Sequence, residues 1–190
     1  TGRAARRMTE TTGFPAMTIH RMLGVRSIPG DGEQEGTFYG FEKGRDNPLE
    51  TDALIIDEMS MVDTHLFCSL LKALLPGTRL ILVGDVNQLP SVGPGRVLCD
   101  LMDSGAFRTI RLTKIFRQAM ESDIVVNAHK INAGEHPVIN NQSKDFFFIR
   151  QNDPGTIIGT AVKLVRENLP RYLRVDSSEI QVMAPMKKGV

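Results

Sequence analysis

Apolar positions along this chain recur with two periods. "DALIID", beginning at Asp52, is a short unbroken apolar run between carboxylates. That is the pattern of a strand buried on both faces. After it Val62, Leu66, Phe67, Leu70, Leu71 and Leu74 return at helical spacing, and a Pro-Gly pair at Pro76 stops the helix. "RLILVGD" from Arg79 predicts a second buried strand, "GRVLCDLMDSG" a helix closed by Gly105, and "RTIRL" from Arg108 a third strand. Beyond these, residues 124–133 read as a helix ending at Gly134, "DFFFIR" as a strand, residues 154–168 as a helix and "EIQVMAP" as a strand. Upstream, residues 2–12 predict a helix stopped by Gly13, and Thr18 caps a short helix through Leu23. Residues 26–47 are rich in Gly, Pro and charge, broken only by "TFYGF", and predict a surface excursion with a small hairpin. Strands alternating with helices imply an α/β fold with a mostly parallel sheet and helices on both faces. A boundary is expected within residues 106–118, giving units 1–106 and 107–190.

Composition changes this picture little. The 190 residues are 41% hydrophobic and 24% charged, as in a folded globular protein. A net charge of +1 leaves room for a local basic stripe without requiring one. Cys68 and Cys99 sit in apolar contexts, so they are expected to be buried thiols of a reducing, cytoplasmic compartment. No run approaches a membrane span and no signal peptide is visible, so no membrane association is expected. The chain has no initiator Met and starts inside a helix pattern, so it reads as a piece of something longer.

The chemistry concentrates at strand ends. In open parallel sheets ligands bind beyond the carboxyl ends of the strands. "LIIDEMSMVD" places Asp57 and Glu58 there. An aspartate at that place can hold Mg²⁺ largely through water, and the next glutamate can take a proton from an attacking water. The competing reading is a helix cap, with the acids favouring a helix N-terminus. "LILVGDVNQLP" repeats the geometry one strand later. Gly84 lets the backbone come close to a ligand. Asp85 and Gln88 follow, and an amide can hydrogen-bond a terminal phosphate and a water together. "IRLTKIFRQ" offers Arg117 as an arginine finger, against the plainer reading of a surface ion-pair residue.

The segments "TGRAARRMTE", "TIHRMLG", "LIIDEMSMVD", "LILVGDVNQLPSVGPG", "LTKIFRQ" and "VMAPMKKG", in this order, resemble the superfamily 1 DNA helicases of the RecD/TraA branch, the exodeoxyribonuclease V alpha-subunit family. The resemblance implies a RecA-like motor, with part of one motor domain in residues 1–106 and the start of a second in residues 107–190. It implies an ATP-dependent 5′-to-3′ helicase of DNA recombination and repair that uses ATP and Mg²⁺. Asp57 would serve the metal, Glu58 would be the general base, and Gly84 and Asp85 would line the nucleotide. Gln88 would sense the γ-phosphate, and Arg117 would reach it from the second domain. Thr1, Arg3, Thr18, His20 and Arg21 would meet DNA phosphates, which position a strand without reading it. Pro90, Ser91 and Val92 would link nucleotide to DNA track, and Pro185, Met186 and Lys187 would touch DNA from the second domain. Single-stranded DNA and other subunits of a helicase–nuclease complex are the implied partners. For Arg6 and Arg7 a solvated helix face is the better reading, and for His20 a packed or surface histidine competes with DNA contact.

One departure is large. No G-x-x-x-x-G-K-[ST] pattern occurs in the chain. That loop supplies amides and a lysine to the phosphates. The 190 residues alone are therefore expected neither to hydrolyse ATP usefully nor to unwind DNA. Two other functions fit the same fold class: a RecA-like ATPase without a DNA role, and a degenerate helicase domain acting as a scaffold. "TGRAAR" and "TIHRML" argue against the first, and Asp57, Glu58, Gln88 and Arg117 against the second.

Overall fold

In the computed structural model, residues 2–26, 40–112 and 121–184 are described. The chain divides into two compact units, Thr1–Leu112 and Thr113–Val190.

The first unit is built around a βαβ element. Strand β1 (Ala53–Ile56) pairs in parallel with β2 (Arg79–Leu82), Leu54 opposite Leu80 and Ile56 opposite Leu82. The crossover between them is helix α3 (Thr64–Lys72). Asp63 starts it, its carboxylate accepting the Leu66 amide at 2.8 Å, a cap worth about 1 kcal/mol. Ahead of the sheet lie α1 (Gly2–Thr12) and α2 (Ile19–Leu23), and after it α4 (Val97–Asp103). Thr18 caps α2 by accepting the Arg21 amide, as its sequence position predicts. The excursion that follows is pinned at its base by an antiparallel bridge between Val25 and Phe41. The expected hairpin tip lies outside the described residues.

The core is small and gathers on one side of the sheet: Leu23, Ile56, Met59, Val62, Leu70, Ala73 and Val97 are buried. Leu54, Leu80, Leu82 and Leu98 pack against it. Strand side chains alternate, so Ile55 and Ile81 point the other way and are 61% and 42% exposed. The strands were expected to be buried on both faces, and among the described residues only one face is covered. Cys68 also departs from expectation. It lies off the stripe running through Leu66, Leu70 and Ala73 and is exposed, whereas Cys99 is half-buried.

The second unit holds α5 (Asp123–Asn132), α6 (Pro154–Lys163) and α7 (Leu169–Leu173), the last two joined by a π-helical turn at Leu164–Asn168. That run carries the helix predicted for residues 154–168 onward to residue 173. Buried Asn127 ties α5 to the following loop, its amide donating to the Val138 carbonyl and accepting the Val138 amide.

Three expected strands are absent among the described residues. "RTIRL", "DFFFIR" and the described part of "EIQVMAP" have no ladder, and Ile110, Phe147 and Val182 are exposed. An apolar run becomes a strand only when a neighbour takes up its amides and carbonyls, and among the described residues no neighbour does so. Instead "DFFFIR" is fixed by side chains. Asn141 exchanges hydrogen bonds with both backbone groups of Phe148, and Asp145 accepts from the Ser122 hydroxyl, the Ser143 hydroxyl and the Asp123 amide.

The Ser122 hydroxyl, then the Ser143 hydroxyl and the Asp123 amide, hold the Asp145 carboxyl below its ordinary 3.8. The Thr156 amide and hydroxyl do the same for Asp153 at the start of α6. A lowered carboxylate favours folding above its ordinary value, and that contribution is lost as pH falls through the lowered one. Hydrogen exchange of the α5 amides is therefore expected to be indifferent to pH-linked destabilisation near neutrality and to accelerate beyond its intrinsic pH trend in acid below 3.8. Asp145→Asn should blunt that acid step. The same step in the variant would assign it to other groups.

Candidate nucleotide site

The two strand ends are brought together by hydrogen bonds that outlast the strands. The Val83 amide donates to the Ile56 carbonyl at 2.8 Å, and the Met59 amide donates to the Val83 carbonyl at 3.0 Å. Asp57 and Glu58 thus sit in the bend between Ile56 and Met59, beside Val83 and Gly84. Met59 is fully buried and anchors the bend. Glu58 itself adopts φ 57°, ψ 42°, the left-handed region that non-glycine residues visit at a cost of about 1–3 kcal/mol. The Asp57 carboxylate accepts the Glu58 amide at 2.8 Å and supports that bend. Asp57 remains exposed and Glu58 half-buried.

Neither acid caps α3 through its side chain. Glu58 precedes the 3₁₀ turn Met59–Met61, but its side chain makes no capping hydrogen bond among the described residues. The helix cap is Asp63.

Gly84 is required by proximity. A Cβ there would stand 2.9 Å from Leu98 Cδ2, 3.0 Å from the Met59 nitrogen and 3.2 Å from Met59 Cβ. The residue permits the Asp57–Met59 bend to lie flat on the β2 exit. Next to it Asp85 has a turn-forming job, its carboxylate accepting the Asn87 amide at 2.9 Å while its carbonyl accepts the Gln88 amide at 3.2 Å. Gln88 and Ser60 line the same cavity of about 160 Å³ with Arg96, Cys99 and apolar neighbours. The Ser60 hydroxyl oxygen is buried and has no hydrogen-bond partner among the described residues.

The other predicted residues divide into three groups. Arg3, His20, Arg21, Pro90 and Val92 are exposed, Val92 completely, and Leu89 beside it is 86% exposed. Thr18 and Ser91 spend their hydroxyls on the backbone: Thr18 caps α2, and Ser91 donates to the Gly93 and Gly95 carbonyls. His20 packs its ring on Phe41, centroids 5.8 Å apart. Arg6 pairs with Glu10 at 2.9 Å on an open helix face, in line with the solvated reading of that side of α1. Thr1, Arg117, Pro185, Met186 and Lys187 lie outside the described residues. Missed from sequence were Ser60, Arg96 and the contacts of Asp63 and Thr64 with Gly93 and Gly95. The G-x-G spacing in "SVGPG" was the available signal of a close backbone approach.

Residues 1–94 match the family described as an AAA domain. The fold is thus an α/β one of the RecA-like, AAA type. Over 189 residues, 100% of this chain and 23% of the relative, the sequence is 36% identical to the ATP-dependent RecD2 DNA helicase of Deinococcus radiodurans. It is 38% identical over 122 residues, 63% of this chain and 20% of the relative, to the RecBCD enzyme subunit RecD of Mycobacterium tuberculosis. Over 86 residues, 45% of this chain and 12% of the relative, it is 43% identical to the subunit RecD of Haemophilus influenzae. The chain belongs to the RecD-type superfamily 1 helicases, and it spans less than a quarter of the length of these relatives. Among the described residues no helix is long and apolar enough to cross a membrane.

Proposed function

We propose that this chain supplies the hydrolytic and coupling part of an ATP-driven DNA helicase of recombination and repair that moves 5′ to 3′ on single-stranded DNA. The observation that carries the reading is the joined strand end, where Asp57 and Glu58 bend against Gly84 while Gln88 follows on the neighbouring arm.

The residues fit a magnesium nucleotide. One oxygen of Asp57 holds the Glu58 amide, and the other has no hydrogen bond among the described residues. No cluster of three or more ligating side chains occurs among those residues. Mg²⁺ keeps several waters and takes one or two carboxylates plus substrate phosphates, so the open oxygen of Asp57 suits it. When bound, the ion would draw charge from the phosphoryl oxygens. The left-handed bend turns Glu58 away from the strand direction, so that its carboxylate can accept a proton from the attacking water. Gln88 orients that water and senses the terminal phosphate through its amide. The family resemblance gives Arg117 the role of spreading positive charge over the transferred group. Gly84 and Asp85 shape the floor.

Arg3, Thr18, His20, Arg21, Pro90, Ser91 and Val92 are the DNA contacts the reading assigns to the first unit, and the family resemblance alone adds Thr1, Pro185, Met186 and Lys187. Other subunits of a helicase–nuclease complex are the expected protein partners, since two of the relatives above are named as RecBCD subunits.

The test joins this chain to a P-loop-bearing segment and measures ATP hydrolysis with and without single-stranded DNA. Turnover raised by DNA, with DNA binding that weakens steeply in salt as counterions return to the phosphates, is the expected result. Turnover indifferent to DNA would leave a RecA-like ATPase without a DNA role. No turnover at all would leave a scaffold.

A further inference from the structure

The exits of β1 and β2 are joined twice. The first junction is the Val83–Met59 bonding at Gly84. The second lies farther out, where the loop after β2 meets the start of α3. The Asp63 carboxylate is held in direction by the Leu66 amide. Gly93 lies directly on it: a Cβ at Gly93 would overlap Oδ2 and stand 2.7 Å from Cγ and 2.8 Å from Cβ of Asp63. One residue along, the Thr64 amide donates to the Pro94 carbonyl at 2.9 Å. The Thr64 hydroxyl fills the space that a side chain on Gly95 would need, and Gly95 has φ +95°, a conformation other residues rarely adopt. Ser91 closes the loop by donating to the Gly93 and Gly95 carbonyls at 3.0 and 3.2 Å.

Between these junctions run two arms. One runs from Met59 to Asp63 and the other from Gly84 to Gly93; Glu58 stands in the bend at the first junction, and Gln88 is on the arm that ends at Gly93. An arm fixed at one end can pivot, whereas an arm fixed at both ends cannot. We propose that Asp63 and Thr64 are positioning residues, which with Gly93 and Gly95 form a second clasp that holds the Gln88 arm in register with Glu58. The proposal rests on the hydrolytic reading of Glu58 and Gln88. It adds that the register is set by close packing of two glycines on one capped helix start. The clasp works by shape, because what meets Gly93 is a carboxylate already spent on capping. Asparagine has the same shape and caps equally well. A displacement of about 1 Å at reacting groups can lower rate about a hundredfold, so such a clasp has a kinetic consequence.

Two measurements test it. In the 190-residue chain, hydrogen exchange is followed at the amides of Thr64, Met59 and Gln88. Gly93→Ala is expected to speed exchange at all three, and Asp63→Asn at none. Acceleration confined to Thr64 would overturn the proposal, since the loop contact would then be local packing. In the protein joined to a P-loop segment, Gly93→Ala should lower kcat about a hundredfold with KM for ATP unchanged. Asp63→Asn should keep the kcat that Asp63→Ala loses. A loss in Asp63→Asn as deep as in Asp63→Ala would mean that charge is what matters, and the clasp would be wrong. Absence of turnover in the unsubstituted protein would strike the hydrolytic reading instead, and the exchange pattern would still decide the clasp.

Discussion

Glu58→Gln is expected to lower ATP turnover by about 10²- to 10⁴-fold in the protein joined to a P-loop segment, the range that a positioned general base contributes. The amide has nearly the shape of the carboxylate but cannot take the proton. Nucleotide affinity should survive, because the proposed role sets Glu58 on the attacking water and not on the phosphates. Folding should survive as well. The left-handed bend at Glu58 is held by the Asp57 carboxylate on the Glu58 amide and by buried Met59, none of which the substitution alters. The check is single-turnover hydrolysis beside equilibrium binding of a fluorescent ATP analogue. Unchanged turnover would remove Glu58 from the chemistry and leave its strained backbone without a catalytic use.

Gly84→Ala is expected to disturb the site from the other strand. The new methyl would press on the Met59 backbone nitrogen at 3.0 Å and on Met59 Cβ at 3.2 Å. Leu98 Cδ2, at 2.9 Å, can swing away, but the Met59 backbone cannot, because its amide is bonded to Val83 and its side chain is buried. Overpacking of this kind costs about 1–3 kcal/mol, which thermal melting would read. The kinetic loss should be larger than the stability loss implies, since the displaced residues are the neighbours of Glu58. Leu98→Ala added to Gly84→Ala should restore little, because it relieves only the yielding contact. Full rescue by Leu98→Ala would show that the β1 bend does not depend on the close approach at Gly84.

The helices were the most legible part of the chain. Thr18 caps α2, and Gly13, Gly105 and Gly134 end helices with positive φ, each as its sequence position predicts. Helix signals are local: the partners of a capping oxygen are amides two or three residues away. Strands were legible only where a partner exists. β1 and β2 formed as expected because α3 returns the chain alongside. "DFFFIR" carries an equally strong pattern and forms no ladder among the described residues; Asn141 meets the two backbone groups of Phe148 instead.

The same division runs through the site. The sequence by itself determined which chemistry-bearing residues stand at the strand ends, because an apolar run followed by Asp57-Glu58 or by Gly84-Asp85 is a contiguous pattern. It also determined the Thr18 start and the glycine stops of helices. Only the tertiary structure decided that Glu58 takes a left-handed bend, that Asp63 and not Glu58 is the cap, and that Gly93 and Gly95 seat on Asp63 and Thr64. The last of these joins residues far apart in the chain, and a glycine's need for space is set by what stands opposite it.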